Sequence, residues 1–512
     1  MQIEWIKRAV RLCLNQEKYG EIEKEYENLE KQYNMFSEEE KNKIREIMKS
    51  QFEVNDFIYI FSHFIFYMKN ESFREDLLDM IQKVDVDPYI GSMLELQITR
   101  IDGYYRKKRE FHRKNVEKFI DILHISYPYI PIEKRNKKRI VMITEQILSL
   151  AHAPTRIVMN YAYVLQEILG YEILLFLCPC DGKLPEDLWI YTEALTMNSL
   201  EQFKNAPLKI GYKNTEFFGY QINMGENSLK EYSMMFSLIY AFNPIFVLNV
   251  GIFHPIADAA GKFTTTVAMG MSVSCPVSEA EILLRADKRE ELIEKEYEEL
   301  LEKNQKQIFV KERFPASVGL KESEKSYTRQ EFGLPEDKFL IAIVGNRLDN
   351  ELEEVFFEVM LRILQKEPDA VFVMIGEVQK VKERLDRKEF KNNVYYLGYQ
   401  TDLQGVYSMF DLYLNPVRAG GGFSSAMALK KGVPVVTLPN CDVAYNVGEE
   451  FIVQNTECMV DQVCHYISDQ EFYKKKKDCA RKSMDENTEE RMIECVKNVI
   501  SKIVETMEEQ GN

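Results

Sequence analysis

From residue 139 to about 438, short β-branched runs alternate with helix-length amphipathic segments, and this pattern limits the possible folds more than any other feature of the chain. Strands separated by helices pair in parallel, because the helix returns the chain to the edge from which the first strand started. Ile140 to Ile143 reads as a first strand, 155–169 as a helix, 171–177 as a strand, 228–241 as a helix and 244–250 as a strand. The stretch 252–280 is less regular, punctuated by Gly261, Gly270 and Pro276. Residues 279–306 read as one charged helix with a solvated face, from Glu and Lys at i, i+4 spacing.

A second series follows the turn GLPED. Its strands are expected at 339–345, 370–375, 394–397, 412–414 and 434–438, with helices at 350–365, 377–388, 402–409 and 424–431. Two such series predict an α/β protein of two Rossmann-like lobes, with a cleft between the C-terminal ends of the sheets where ligands collect. Ahead of them, residues 1–130 have helical periodicity (Ile44, Ile47, Met48, Phe52; Phe57, Ile60, Phe61, Phe64) and read as an all-helical domain. Asp85-Val86-Asp87 precedes Pro88 and reads as a turn between helices. PIEKRNKKR at 131–139 reads as a cationic linker. The expected division is 1–130 helical, 139–325 first lobe, 326–475 second lobe and 476–512 C-terminal helices; those at 458–469 and 485–508 are packing elements that can cross back to the first lobe.

Charge narrows the range of partners. With 66 Lys and Arg against 82 Asp and Glu the chain carries −16 at neutral pH, the opposite of a nucleic-acid binder's footprint. Nine cysteines with no Cys-x2-Cys pair read as reduced core thiols; the close pair Cys178 and Cys180 lies in an apolar run. The Met1 segment has no apolar signal region, and the aromatic run from Phe57 to Met68 is shorter than the ~20 residues that span a bilayer. A cytoplasmic protein without an integral membrane segment is expected.

The segment richest in chemistry is YLNPVRAGGGFSSAMALKKGVPVVTL, Tyr413 to Leu438. Gly420, Gly421 and Gly422 let the backbone approach a ligand closely, and Ser424 or Ser425 is expected to cap the helix that follows. The start of such a helix offers unpaired N–H groups and roughly half a positive charge, which suits a diphosphate. Gly432 and Pro434 end the helix. Arg347, directly after an apolar strand, can neutralise a departing diphosphate, and Arg418 is a second candidate cation. Asn346 and Asn415 are candidate hydrogen-bonding groups. Asp402 is expected to cap the next helix, leaving the Tyr399 turn to contact a base mainly through its backbone.

His152 falls in the loop after the first strand, where an imidazole can orient or deprotonate an acceptor, or simply cap the helix at 155. His254, in NVGIFHP, has a similar position, whereas His63, His112, His124 and His465 read as structural. No metal-binding spacing, Walker loop or Ser-His-Asp signature is present, so a metal-independent mechanism without a cofactor is expected.

IVGNRL, VYYLGYQTDLQGVYSMFDLYLNP and GGGFSSAMALKKGVPVVTL resemble the nucleotide-sugar half of GT-B glycosyltransferases, a likeness covering most of 139–470 and strongest in its C-terminal part. It implies that the Gly-rich loop and its helix hold a donor's phosphates and that the LGY turn lies near the base. The retaining branch of that family carries two glutamates and a lysine at slots filled here by Ala419, Met427 and Leu352, while Arg347 matches its arginine. HAPTRIVM, His152 to Met159, is similar instead to the His-Pro-Thr segment of protein O-GlcNAc transferases and of their bacterial relatives that glucosylate asparagines, which also place helices ahead of the GT-B core. The resemblance implies a metal-independent hexosyltransferase moving sugar from a nucleotide donor, UDP-sugar first, to a protein acceptor, with inversion favoured. Two alternatives stand beside it: assembly of a glycan or lipid-linked oligosaccharide, and a catalytically silent chaperone or acceptor-binding subunit of a partner glycosyltransferase. A homo-oligomer is also left open.

Overall fold

A computed structural model of the chain describes residues 2–511, except 15–21, 69–70, 84–90, 93, 96–103, 149, 151, 180–199, 204–205, 224–228, 252–254, 272–274, 289, 311–322, 324, 347, 380, 391, 419, 440 and 486–487. The Asp85–Asp87 turn, His254, Arg347 and Ala419 lie outside the described residues.

The N-terminal region is helical: α1 (Gln2–Leu14), α2 (Ile22–Asn34), α3 (Glu38–Gln51), α4 (Val54–Met68), α5 (Glu71–Lys83) and α6 (Tyr105–Ile122). Trp5, Tyr26, Tyr33, Phe57, Phe61 and Phe64 fill its core. A capping box starts α3: Ser37 accepts from the Glu40 amide, and the Glu40 side chain accepts from the Ser37 amide. α6 also reaches beyond this core. Its Val116 and Phe119, with Leu123 just past its end, share a core with Val141 and Ile143 of the first sheet.

The first lobe contains β1 (Asn136–Thr144), α7 (Ala153–Tyr163), β2 (Glu172–Leu177), β3 (Ala206–Tyr212), β4 (Thr215–Gln221), α8 (Leu229–Phe242), β5 (Pro244–Val250), α9 (Pro255–Ala259), β6 (Thr266–Met269), β7 (Ile282–Arg285), α10 (Glu291–Glu299) and β8 (Lys306–Phe309). The sheet order is β3-β4-β2-β1-β5-β6-β7-β8, with every pairing parallel except that of β3 with β4. Along β1, Ile140 and Met142 face one core and Val141 and Ile143 the other. A strand covered on both faces reads as an unbroken apolar run, which is why it was visible in the sequence.

Two departures from the sequence reading occur here. The single charged helix expected over 279–306 does not form; β7 and β8 bracket a helix of nine residues. The charged residues are partly inside: Arg285 pairs with Glu294 at 2.5 Å with 2% and 8% of their side chains exposed. The antiparallel β3–β4 hairpin had no strand expectation; it turns through Lys213 and Asn214, both at positive φ.

The second lobe contains β9 (Leu340–Val344), α11 (Leu348–Glu351), α12 (Glu354–Lys366), β10 (Val371–Ile375), α13 (Lys382–Leu385), β11 (Val394–Gly398), α14 (Leu403–Val406), β12 (Leu412–Leu414), α15 (Gly422–Lys430), β13 (Val435–Val436), α16 (Asp442–Asn446), α17 (Thr456–Ser468) and α18 (Gln470–Ser483). Its parallel sheet runs β11-β10-β9-β12-β13. The helix expected over 377–388 shrinks to α13. The last helix, α19 (Glu489–Gly511), returns to the first lobe, where Met492, Val496, Val499, Ile500, Ile503 and Met507 join the core around Ile140. Among the described residues no helix is long and apolar enough to cross a membrane.

Candidate functional site

In the second sheet the chain leaves β9 towards β10 and β11, then comes back to place β12 and β13 on the other side of β9. Crossovers on either side of such a reversal leave a crevice at the C-terminal ends of the two central strands. Gly345 and Asn346 follow β9 at that end, and the loop from Asn415 to Gly421 follows β12. The first sheet repeats the arrangement, with β1 between β2 and β5 and the His152 loop after β1.

The Gly-rich loop launches α15 without a polar cap. Its N-cap is Gly421, at φ +101°, with no side-chain bond to the helix start. The serine caps expected from the sequence are therefore displaced: Ser424 lies within the first turn, and buried Ser425 donates its hydroxyl to the Gly422 carbonyl at 2.8 Å. The reason is positional, since the helix begins two residues earlier than Ser424 and a serine inside it bonds back to its own turn. A Cβ on Gly421 would meet Arg418 Nη2 at 2.7 Å and Asn415 Oδ1 at 3.1 Å. One on Gly422 would meet Asn446 Nδ2 at 2.5 Å and the Asp442 carbonyl oxygen at 2.8 Å. The glycines thus let the loop lie close against its own lobe, with the first amides of α15 at its mouth.

Arg418 lies underneath this loop. It donates from Nε to Asn415 Oδ1 at 3.0 Å and from Nη2 to the Val344 carbonyl at 2.6 Å and the Tyr413 hydroxyl at 2.9 Å; Nη1 pairs with Glu351. Only 7% of its side chain is exposed. Burial opposes its charge, but Tyr413 and Glu351 outweigh burial and raise its pKa. Read from sequence as a cation for phosphate, Arg418 is instead bound into its own lobe, joining the end of β9 to the end of β12. Asn415 belongs to the same network and donates to Thr437 Oγ1 at 3.2 Å. Asn346 is exposed at the crevice. Leu352, in the slot of the family lysine, is buried in the core with Phe356 and Leu412, and Met427 packs against the core on the lobe's other face.

Tyr399 stands 61% exposed just past β11. Three strand spacings separate β11 from β12, about 14 Å. The structure therefore gathers Asn346, Gly420, Gly421 and Gly422 at one crevice, with Ser424 and Ser425 in the first turn beyond, and puts Tyr399 at the sheet's far edge. Asp402 accepts from the Gly405 amide at 3.0 Å as the cap of α14.

Across the cleft, His152 is the N-cap of α7, yet its ring makes no capping bond to the helix. Nδ1 lies 3.1 Å from Thr155 Oγ1, which accepts from the Leu148 amide at 2.8 Å. Burial lowers the imidazole pKa from its ordinary 6.5, with Glu145 acting the other way, which favours the neutral ring. His112, read as structural, is wholly buried between Glu95 (2.6 Å) and Asp258 (2.7 Å), joining α6 to α9. Sequence reasoning missed Thr155 and Glu351 as supports. Thr155 was detectable, three residues after an N-cap in HAPT; Glu351 was not, because its partner is distant in sequence.

Residues 338–469 match the glycosyl transferases group 1 family. No curated protein matches the chain in sequence. Among solved structures, a mutant O-GlcNAc transferase from Thermobaculum terrenum aligns over 100% of this chain and 98% of its own, with TM-score 0.61 and 11% identity. Anabaena HepE in complex with UDP covers 71% of this chain and 100% of its own, with TM-score 0.49 and 10% identity. A Rickettsia africae glycosyltransferase covers 72% and 99%, with TM-score 0.48 and 13% identity. The first alignment runs the length of both chains, helical region included, and establishes the GT-B fold.

Proposed function

From a chain of GT-B fold whose second lobe matches the glycosyl transferases group 1 family, we propose a glycosyltransferase that moves a sugar from a UDP-sugar to a protein side chain in the cytoplasm. The observation that carries this reading is the uncapped start of α15 at a glycine N-cap, in the crevice between β9 and β12. Such a start presents several N–H donors and a partial positive charge to a diphosphate. There it stabilises the charge that develops as the bond from the anomeric carbon to phosphate breaks, without a metal ion. The acceptor's nucleophile approaches from the first lobe. A neutral His152, its ring held by Thr155, is suited to orient it or take its proton. The protein acceptor is supported by the HAPTRIVM likeness and by the end-to-end fold shared with an O-GlcNAc transferase.

The test is to incubate the full chain, in EDTA, with a panel of nucleotide sugars and candidate protein acceptors and to follow transfer by mass spectrometry. Transfer or hydrolysis with a UDP-sugar is expected. No reaction and no thermal shift with any donor would remove the proposal. A second reading, a silent partner subunit, has its own support: Leu352 and Met427 fill the family's charged slots with apolar side chains, and Arg418 is bound within the lobe. Activity appearing only when a second glycosyltransferase is added would favour it.

A further inference from the structure

A pair of side chains joins the first turns of α7 and α15, one from each lobe. Arg156 is the fourth residue of α7, and its Cζ lies 5.4 Å from the ring centroid of Phe423, the second residue of α15. Arg156 is half-buried, and its amide donates to the His152 carbonyl at 3.1 Å. Burial presses its pKa below the ordinary 12.5, with Tyr212 acting the other way. Tyr212 is itself fixed, donating its hydroxyl to buried Asn160 Oδ1 at 2.6 Å.

Stacking engages the face of a guanidinium, whereas its N–H donors lie in the plane and point past the edge of the ring. Phe423 contributes one of the first amides of α15, so Arg156 packs beside the helix end at which an anion would bind. A planar guanidinium meets phosphate oxygens in bidentate fashion. Arg418, nearer in sequence, has its charge matched by Glu351 inside the second lobe.

We propose that Arg156 is a donor-phosphate ligand supplied by the opposite lobe, completing with the Gly420–Gly422 mouth a diphosphate site that spans the cleft. This rests on the donor-binding reading above. It makes cleft closure and phosphate binding one event, because the cation arrives on one lobe and the amides on the other.

Titration calorimetry of the full chain with UDP and, separately, uridine tests it. Arg156→Met, which keeps the apolar stem, is expected to weaken UDP about ten- to a hundredfold and leave uridine unchanged. Arg156→Lys should fall between, retaining charge without the planar fork, and Phe423→Leu should lose part of the UDP affinity. Melting curves without nucleotide check that each variant is folded. Wild-type affinity for UDP in both Arg156→Met and Phe423→Leu overturns the proposal and leaves the donor site standing. Equal loss of UDP and uridine overturns it as well, since Arg156 would then act through the lobe's shape. A wild-type chain that binds neither UDP nor GDP removes the donor reading, and Arg156's role with it.

Discussion

Replacing Gly421 with alanine isolates the backbone geometry on which the proposed donor site depends. At φ +101° an L-residue is strained by about 1–3 kcal/mol. The new Cβ would also stand 2.7 Å from Arg418 Nη2, below any ordinary contact distance, and the guanidinium cannot retreat without loosening its bonds to Val344, Tyr413 and Asn415. Losing one such charged hydrogen bond adds about 1.5–3 kcal/mol. Together these predict a loss of roughly 2.5–6 kcal/mol, which lowers the melting temperature of a lobe this size by about 5–24 °C. Gly333 provides the control: it has φ +64° in the same lobe, and a Cβ there meets nothing within 4 Å. Gly333→Ala should cost about 1 kcal/mol and leave UDP affinity intact, whereas Gly421→Ala should lose both stability and affinity. Scanning calorimetry and UDP titration of the two variants read this directly. A Gly421→Ala protein as stable as Gly333→Ala, with wild-type affinity, would refute the argument that the loop must press against Arg418.

Three further outcomes follow from the same contacts. Glu351→Gln leaves the Arg418 charge buried without its carboxylate and should destabilise the second lobe by about 3–5 kcal/mol in urea unfolding; a loss under 1 kcal/mol would mean that the pair is not buried as described. His112, held by Glu95 and Asp258 against the burial that opposes its charge, has its pKa raised to about 10 from 6.5. A group whose folded pKa is raised stabilises fully below its unfolded pKa, so this contribution is present below pH 6.5 and lost as pH rises to 10. The melting temperature of His112→Asn should vary less with pH over that window than the wild type's, and parallel curves would exclude the effect. His152→Gln should lower kcat by about 10²–10⁴ with donor KM little changed, and the wild-type rate should fall below pH 6.5 as the ring gains a proton; an unchanged kcat would relegate His152 to helix packing.

Much of the fold could be read locally. β9, β10 and β12 lie on or next to the residues where apolar runs put them, because strands buried on both faces need apolar side chains at every position. The Gly-rich loop was legible for a similar reason, since a close backbone approach excludes side chains. Residues 279–306 misled because their charges satisfy a helical pattern, while Arg285 and Glu294 neutralise each other inside and let a short strand enter the sheet. Ser424 and Ser425 misled because a helix boundary depends on where the backbone turns, and Gly421 turns it first.

What the sequence determined by itself is the alternation of elements, the two lobes and the glycine mouth, all set by neighbours within a few residues. Tertiary structure alone decided where the long cationic side chains go. Arg418 could as well have reached into the cleft as under its loop, and Arg156 could have faced solvent instead of Phe423; a flexible stem takes whichever direction offers a partner. Those partners, Glu351 on another element and Phe423 on the opposite lobe, come near only after the sheets have packed. Charge pairing over such separations is fixed by the assembled fold, which no local pattern encodes.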